Sequence, residues 1–294
     1  MYPRPFDYFS PRNLDEALEC IQNAGPDSKI LAGGQSLIPA LKLKSISLKS
    51  VIDITGIKGL DYINREENVL KIGALTTTGS LERDPTVASS LPILKETASQ
   101  IADPLVRNLG TIGGDLCHAD SRNDLPAVMI ALGASFVAAC KGGKRSVGSD
   151  FFFLGASKTA LRPDEILTEV DVPLRGEGGG SAYRKIKKDS GGFTIAGVAC
   201  SLTVADDGAI SACRIALTAV GPKALRAVKA EQAIMGKIPD ASIMDEAAKL
   251  AVAASQPASD LSASEEYRRK VLDKLVKDAV EAAYKRAVMG NYES

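Results

Sequence analysis

Gly110-Thr111-Ile112-Gly113-Gly114-Asp115, closing the run Ile101-Ala102-Asp103-Pro104-Leu105-Val106-Arg107-Asn108-Leu109, decides how this chain is read. Glycine has no side chain, so an anion can approach its backbone N–H closely. Successive N–H groups in a tight turn form an anion-binding concavity, and Thr111 adds a hydroxyl donor. Upstream stands a second run of the same chemistry, Ala32-Gly33-Gly34-Gln35-Ser36. Neither run has the glycine spacing of a dinucleotide-binding βαβ unit or of a P-loop. On spacing alone, each is equally a strand-to-helix turn or a phosphate cradle. Two such runs in one chain suggest one large ligand gripped from two sides.

The 294 residues give room for roughly two or three modest domains. The formal net charge is +0, so nothing steers the chain toward nucleic acid or an anionic membrane. No apolar run is long enough to span a bilayer. The opening Met1-Tyr2-Pro3-Arg4-Pro5-Phe6-Asp7-Tyr8 lacks the apolar core of a signal peptide, and a cytoplasmic protein is the expectation. Five cysteines, Cys20, Cys117, Cys140, Cys200 and Cys213, are scattered with no CxxC pair. That argues against a disulfide framework and against an iron–sulfur or structural zinc site in this chain. A redox group, if there is one, must be something else.

Outward from the glycine runs, periodicity predicts a helix over 13–22, with Leu14, Ala17, Leu18 and Ile21 on its apolar face. A buried strand over 29–32 empties into the first glycine run, and a second strand covers 51–54. A strand over 69–74, a helix over 91–101 capped from Ser89-Ser90, and a helix over 124–132 with Pro126 in its first turn follow. Residues 135–140 read as a strand ending in the turn 141–144. Residues 166–172 alternate in part, which predicts an exposed-edge or half-buried strand. Beyond the flexible Arg175-Gly176-Glu177-Gly178-Gly179-Gly180, three strands are predicted over 180–186, 194–204 and 209–219. Asp206-Asp207-Gly208 is the hairpin turn between the last two. The stretch 242–289 reads as largely helical. The expected division is α+β over 1–55, α+β over 56–177, and a three-stranded sheet with helices over 178–294.

In this order the chain resembles the FAD-binding medium subunit of the molybdenum hydroxylases, the family of xanthine dehydrogenase and aerobic carbon monoxide dehydrogenase. The resemblance spans essentially the whole chain. It rests on Phe6-Asp7-Tyr8, Ala32 to Pro39, Val51-Ile52-Asp53-Ile54, Ile72-Gly73-Ala74 and Ile101 to Gly114. It continues through Asp124-Leu125-Pro126-Ala127, Leu132-Gly133-Ala134, Asp164-Glu165-Ile166-Leu167 and the Tyr183–Phe193 segment. The resemblance implies an α+β chain with a vanillyl-alcohol-oxidase (PCMH) type FAD-binding fold in two subdomains and a C-terminal α+β domain. It implies that Ala32, Gly33, Gly34, Gln35 and Ser36 hold the FAD pyrophosphate from one side. Thr111, Ile112, Gly113, Gly114 and Asp115 would hold it from the other, both loops using backbone and hydroxyl donors. Ile101 would pack near the ring system. Asp124 would accept hydrogen bonds from cofactor hydroxyls, Leu167 would make an apolar contact, and Lys185 would stand near the flavin. No residue of this chain is assigned a catalytic role, and no metal ligand is expected.

Plain structural readings stand beside these. Asp124 sits where a helix N-cap is expected. Lys185 belongs to the charged run Arg184-Lys185-Ile186-Lys187-Lys188, a solvated face on its own terms. Leu167 and Ile101 also suit a core, and Arg107 suits an ion pair or an interface. His118, in Cys117-His118-Ala119-Asp120, reads as a loop histidine rather than a metal ligand. Two positions depart from the resemblance. The residue after Gly113-Gly114 is asparagine or serine in relatives and Asp115 here, and a carboxylate beside a pyrophosphate is repulsive unless it turns away. Near Ser190-Gly191-Gly192-Phe193 an acidic residue of the relatives is missing, with Phe193 a candidate aromatic at the flavin edge.

The resemblance implies a relay. A large partner would carry a molybdopterin-type molybdenum cofactor and oxidise the substrate. A small partner with two 2Fe–2S clusters would deliver electrons to the FAD of this chain, and the complex would be a dimer of heterotrimers. The alternatives are a free-standing FAD oxidoreductase of the same fold, for which the chain leaves little room for a substrate domain, and a flavin-free structural subunit, favoured only by Asp115.

Overall fold

The computed structural model describes residues 2–189 and 191–290; Ser190, in the departure noted above, lies outside the described residues. The chain opens with β1 (Asp7–Phe9), α1 (Leu14–Ala24), β2 (Ser28–Leu31), α2 (Leu37–Lys42) and β3 (Ser50–Asp53). The three strands form a parallel sheet in the order β1-β3-β2. Asn13 caps α1 by accepting from the Glu16 N–H, and Ala17 and Leu18 bury against the sheet around Ile52. The predicted buried strand at 29–32 is instead a partly exposed edge strand, shifted by one residue. The short β1 escaped the sequence reading because its three residues are all exposed.

Next come β4 (Ile63–Glu66), β5 (Val69–Gly73), α3 (Thr78–Arg83), α4 (Pro85–Ser90), α5 (Pro92–Gln100), α6 (Pro104–Leu109), α7 (Ile112–His118) and α8 (Leu125–Leu132). They are followed by β6 (Ser135–Cys140), β7 (Gly143–Gly148), α9 (Ser149–Phe152), β8 (Phe153–Gly155), β9 (Lys158–Thr159) and β10 (Ile166–Pro173). Five of these strands make an antiparallel sheet in the order β4-β5-β10-β6-β7. β10 is therefore central and not an edge. Its alternation breaks because a bulge between Leu167 and Glu169 interrupts the pairing with β6. The predicted cap of α5 fails as well: Leu91 occupies that position without a side-chain bond, while Ser89 bonds back to the Thr86 carbonyl.

The last part consists of β11 (Gly179–Lys187), β12 (Thr194–Val204), β13 (Ile210–Thr218), β14 (Leu225–Arg226), α10 (Val228–Ile234), α11 (Ala241–Ala254) and α12 (Glu265–Met289). The sheet is a four-stranded antiparallel meander, one short strand more than predicted. Helix α8 is apolar all round, and all eight of its residues are buried. It lies between the second and third sheets, touching β10 on one side and β12 and β13 on the other. Glu96 ties α5 to the third sheet and its long helix, pairing with Arg184 of β11 and with Arg286 of α12 at 2.9 Å. These contacts fix β11 above the start of α8. Among the described residues no helix is long and apolar enough to cross a membrane.

Candidate functional site

The two glycine loops touch. Gly33 lies in the turn from β2 to α2, and a Cβ placed on it would stand 2.0 Å from the Leu109 carbonyl oxygen and 2.8 Å from Gly110 Cα. Only glycine permits that approach. On the other side, a Cβ at Gly113 would stand 2.6 Å from the Ala74 carbonyl oxygen, so the second loop is pressed onto the end of β5.

Their donors differ. Among the described residues, the backbone N–H groups of Gly33, Gly34, Gln35 and Ser36 have no hydrogen-bond acceptor within the protein. Gln35 Nε2 donates to the Gly33 carbonyl at 3.2 Å, which shapes the turn. Ser36 is the N-cap of α2, yet its hydroxyl makes no capping bond. This loop is an open nest of uncommitted donors. The second loop was expected to offer the same, and it does not. Ile112 N–H donates to the Thr76 carbonyl and Gly113 N–H to that of Ala74, both at 2.9 Å. Gly114 N–H donates to Thr111 Oγ1 at 3.1 Å, and Asp115 N–H to the Thr111 carbonyl at 3.0 Å. Strand-like pairing of Thr77 with Thr111 and the start of α7 consume these donors. What remains for a ligand is the Thr111 N–H, which has no acceptor among the described residues, and the Thr111 hydroxyl, which accepts from Gly114 and keeps its own proton to donate.

Asp124 and Lys185 meet beneath the loops. Lys185 Nζ lies 2.5 Å from Asp124 Oδ2, with side chains 2% and 6% exposed. Tyr183 donates its hydroxyl to Asp124 Oδ1 at 2.5 Å, and Thr194 does so at 2.6 Å. Asp124 sits at the N-cap position of α8 but makes no side-chain capping bond. Capping is thus not its role, and Lys185 is not on a solvated face. Burial and the Asp124 carboxylate push the Tyr183 hydroxyl far above its ordinary range, so it stays a proton donor.

Asp115 is the unusual member. Its Oδ1 is shut off from solvent and has no hydrogen-bond partner. Burial, then the charges of Asp124 and Asp120, push its carboxyl up to about 8, opposed mainly by Lys185. Burial and Asp115 push the neighbouring Cys117 thiol up to about 12, which favours the thiol over the thiolate.

The other expected positions divide. Ile101 closes α5, partly buried against the central core, and its carbonyl accepts from Arg107 at 3.0 Å. Arg107 pairs with Glu82 at 2.8 Å, which accounts for its charge. Leu167 is 4% exposed and Ile112 0%, so both side chains belong to the core and leave a ligand almost no surface. His118 ends α7, and Asp120 beside it pairs with Arg122 at 2.8 Å. The Arg122 guanidinium lies 4.1 Å from the ring centre of Phe193, which stays exposed.

Tyr183, Thr194 and Thr218 escaped the sequence reading. Thr218 Oγ1 stands 3.0 Å from the Ser121 carbonyl and 2.6 Å from that of Asn123, which holds the α7–α8 loop against β13. Their alternation in strands is ordinary, and only the fold aims them at residues far away in sequence.

The donor set suits an anionic dinucleotide. The open nest, the Ser36 hydroxyl and the Thr111 hydroxyl suit phosphate oxygens. Residues 4–175 match the family model described as the FAD binding domain in molybdopterin dehydrogenase. The chain belongs to the FAD-binding medium-subunit family of the molybdenum hydroxylases. Residues 181–283 of this medium-subunit flavoprotein match the CO dehydrogenase flavoprotein C-terminal domain. The carbon monoxide dehydrogenase medium chain of Hydrogenophaga pseudoflava is 40% identical over 97% of this chain and 99% of its own length. The glyceraldehyde dehydrogenase medium chain of Sulfolobus acidocaldarius is 33% identical over 95% and 98%. Among solved structures, quinoline 2-oxidoreductase from Pseudomonas putida 86 superposes with a TM-score of 0.91 at 32% identity, covering 98% of this chain and 99% of that one. These relatives share the flavoprotein and differ in the substrates of their names.

Proposed function

We propose that this chain holds one FAD across the contact between its two glycine loops and serves as the electron outlet of a molybdenum hydroxylase. The observation that carries the reading is the run of uncommitted N–H donors at Gly33, Gly34, Gln35 and Ser36, set against the Leu109–Thr111 turn. These donors and the Ser36 and Thr111 hydroxyls bind the pyrophosphate. Asp124, held by Lys185, Tyr183 and Thr194, accepts from cofactor hydroxyls. Lys185 supplies a fixed positive charge near the flavin, an electrostatic contribution that needs no proton transfer. When bound, FAD accepts electrons singly and releases them in pairs.

On this reading a small subunit with two 2Fe–2S clusters delivers the electrons, and a large subunit with a molybdopterin-type cofactor oxidises the substrate. The complex is a dimer of heterotrimers working in the cytoplasm. Ile101, Leu167 and the backbone of 112–115 act by shaping the site rather than by donating to the cofactor, since their side chains lie in the core or their N–H groups are spent.

Absorbance of the purified full-length chain tests the proposal. Bound flavin gives two bands, in the near-ultraviolet and the blue. A colourless chain that takes up no added FAD would refute it. Co-purification of the large and small subunits, identified by their molybdenum and iron contents, tests the assembly.

A further inference from the structure

Helix α6 joins two parts of the candidate site and yet enters no core. None of its residues is buried, and Leu105 and Leu109 are 78% and 59% exposed. Helices in proteins are ordinarily seated by an apolar face, so polar contacts have to seat this one. The backbone pins its C-terminal end: the Gly110 carbonyl accepts from the Thr78 N–H at 2.7 Å, and Leu109 lies against Gly33. The N-terminal end follows the turn Ile101-Ala102-Asp103. There Ala102 has a φ of +43°, a left-handed backbone that alanine rarely adopts. Asp103 caps α6 by accepting from the Leu105 and Val106 N–H groups, but those bonds are local and tie the turn to nothing outside its own helix.

Arg107 supplies the missing tie. Its Nε and Nη2 donate to the Glu82 carboxylate of α3 at 2.8 and 3.4 Å, and its Nη1 donates to the Ile101 carbonyl at 3.0 Å. The Arg107 side chain is 11% exposed, so water competes little for these bonds. One planar fork thus reaches α3 and the turn at once, which the point charge of a lysine cannot do. Asn108 adds only an exposed bond from Arg83 at 3.3 Å.

We propose that Arg107 is a positioning residue of the cofactor site: by tying the Ile101 carbonyl to Glu82, it sets where the turn at 101–103 stands relative to the contact of Leu109 with the first glycine loop. The inference rests on the FAD reading and goes beyond it, since Arg107 acts through Ile101 and not on the cofactor itself. A ligand with its ring by the turn and its pyrophosphate at the loops must fit both ends of α6 together. A turn held in place beforehand spares the ligand the cost of ordering it.

The test is FAD titration of the cofactor-free full-length chain, followed by flavin fluorescence, beside urea unfolding of each variant. Arg107→Met keeps the aliphatic stem and removes the fork. Its dissociation constant for FAD should rise about tenfold or more. Saturated with FAD, it should show an altered visible circular dichroism, because the ring then lies by a displaced turn. Arg107→Lys keeps a charge opposite Glu82 without the simultaneous bond to Ile101. It should recover the urea midpoint but neither the FAD affinity nor the dichroism. Glu82→Gln leaves the Ile101 bond in place and should weaken FAD binding about threefold; it decides the matter if Arg107→Met does not fold. Unchanged affinity and dichroism in Arg107→Met, or unchanged affinity in Glu82→Gln, would overturn the inference and leave the FAD reading intact. Full recovery of both readouts by Arg107→Lys would also overturn it, reducing Arg107 to an ion pair that stabilises the fold. An unmodified chain that binds no FAD would overturn the cofactor reading, and this inference with it.

Discussion

Lys185 Nζ and Asp124 Oδ2 stand 2.5 Å apart although the two residues lie on β11 and at the start of α8. Both side chains are almost wholly buried, so neither charge has water as an alternative partner. The pair joins the third sheet to the helix that follows the glycine loop. Asp124→Leu should cost about 3–5 kcal/mol of stability, because it leaves a buried ammonium and two hydroxyls without an acceptor. Asp124→Leu with Lys185→Met together should cost less than the two single changes added. Urea unfolding of the four proteins measures the coupling, and simple additivity would show that the two groups act independently.

The contact between the loops should be intolerant of a single methyl. Gly33→Ala places a Cβ 2.0 Å from the Leu109 carbonyl oxygen and must push the loops apart. Strain of about 1–3 kcal/mol corresponds to a loss of about five- to 150-fold in FAD affinity. Gly56→Ala, with nothing within 4 Å of the new atom, serves as the control and should bind normally. Unchanged FAD affinity in Gly33→Ala would mean that the loops separate without cost.

Asp115 sets a pH dependence of stability in the cofactor-free chain. Its carboxyl is raised from 3.8 to about 8, so the folded state keeps a proton that the unfolded chain has lost across that window. Stability from this group therefore falls as pH rises from 3.8 toward 8 and levels off above. Asp115→Asn escapes the penalty. Its urea midpoint should match the unmodified chain near pH 4, exceed it increasingly toward pH 8, and keep a constant lead beyond. A lead already complete at pH 4 would assign the effect to packing.

Glu165 works in the opposite sense. It stands just before β10, buried, and the Arg145 guanidinium of β7 grips it at 2.5 and 2.7 Å. That hydrogen bonding holds the Glu165 carboxyl below its usual 4.5, although burial opposes it. Its stabilisation is whole above pH 4.5 and fades as pH falls through the lowered value. Glu165→Gln should cost about 1–3 kcal/mol at neutral pH and progressively less in acid, measured by thermal unfolding down to about pH 3. A difference that does not shrink with acid would remove the ion pair as its cause.

By itself the sequence determined the two glycine loops, the order of elements around them, and through that order the family and its flavin. Glycine runs and hydrophobic periodicity are local properties, and local geometry is what a chain writes plainly. The alternation of Thr194–Val204 marked a strand whose bounds the structure reproduces. Tertiary structure alone decided three other things. It made 166–173 a central strand, because a bulge hides its true alternation. It left the first loop's N–H donors free and spent those of Ile112 and Gly113 in the second, because only the fold sets Thr76 and Ala74 beside them. And it took Asp124 and Lys185, which read locally as a cap and a surface charge, and buried them against each other, where neither is stable without its partner.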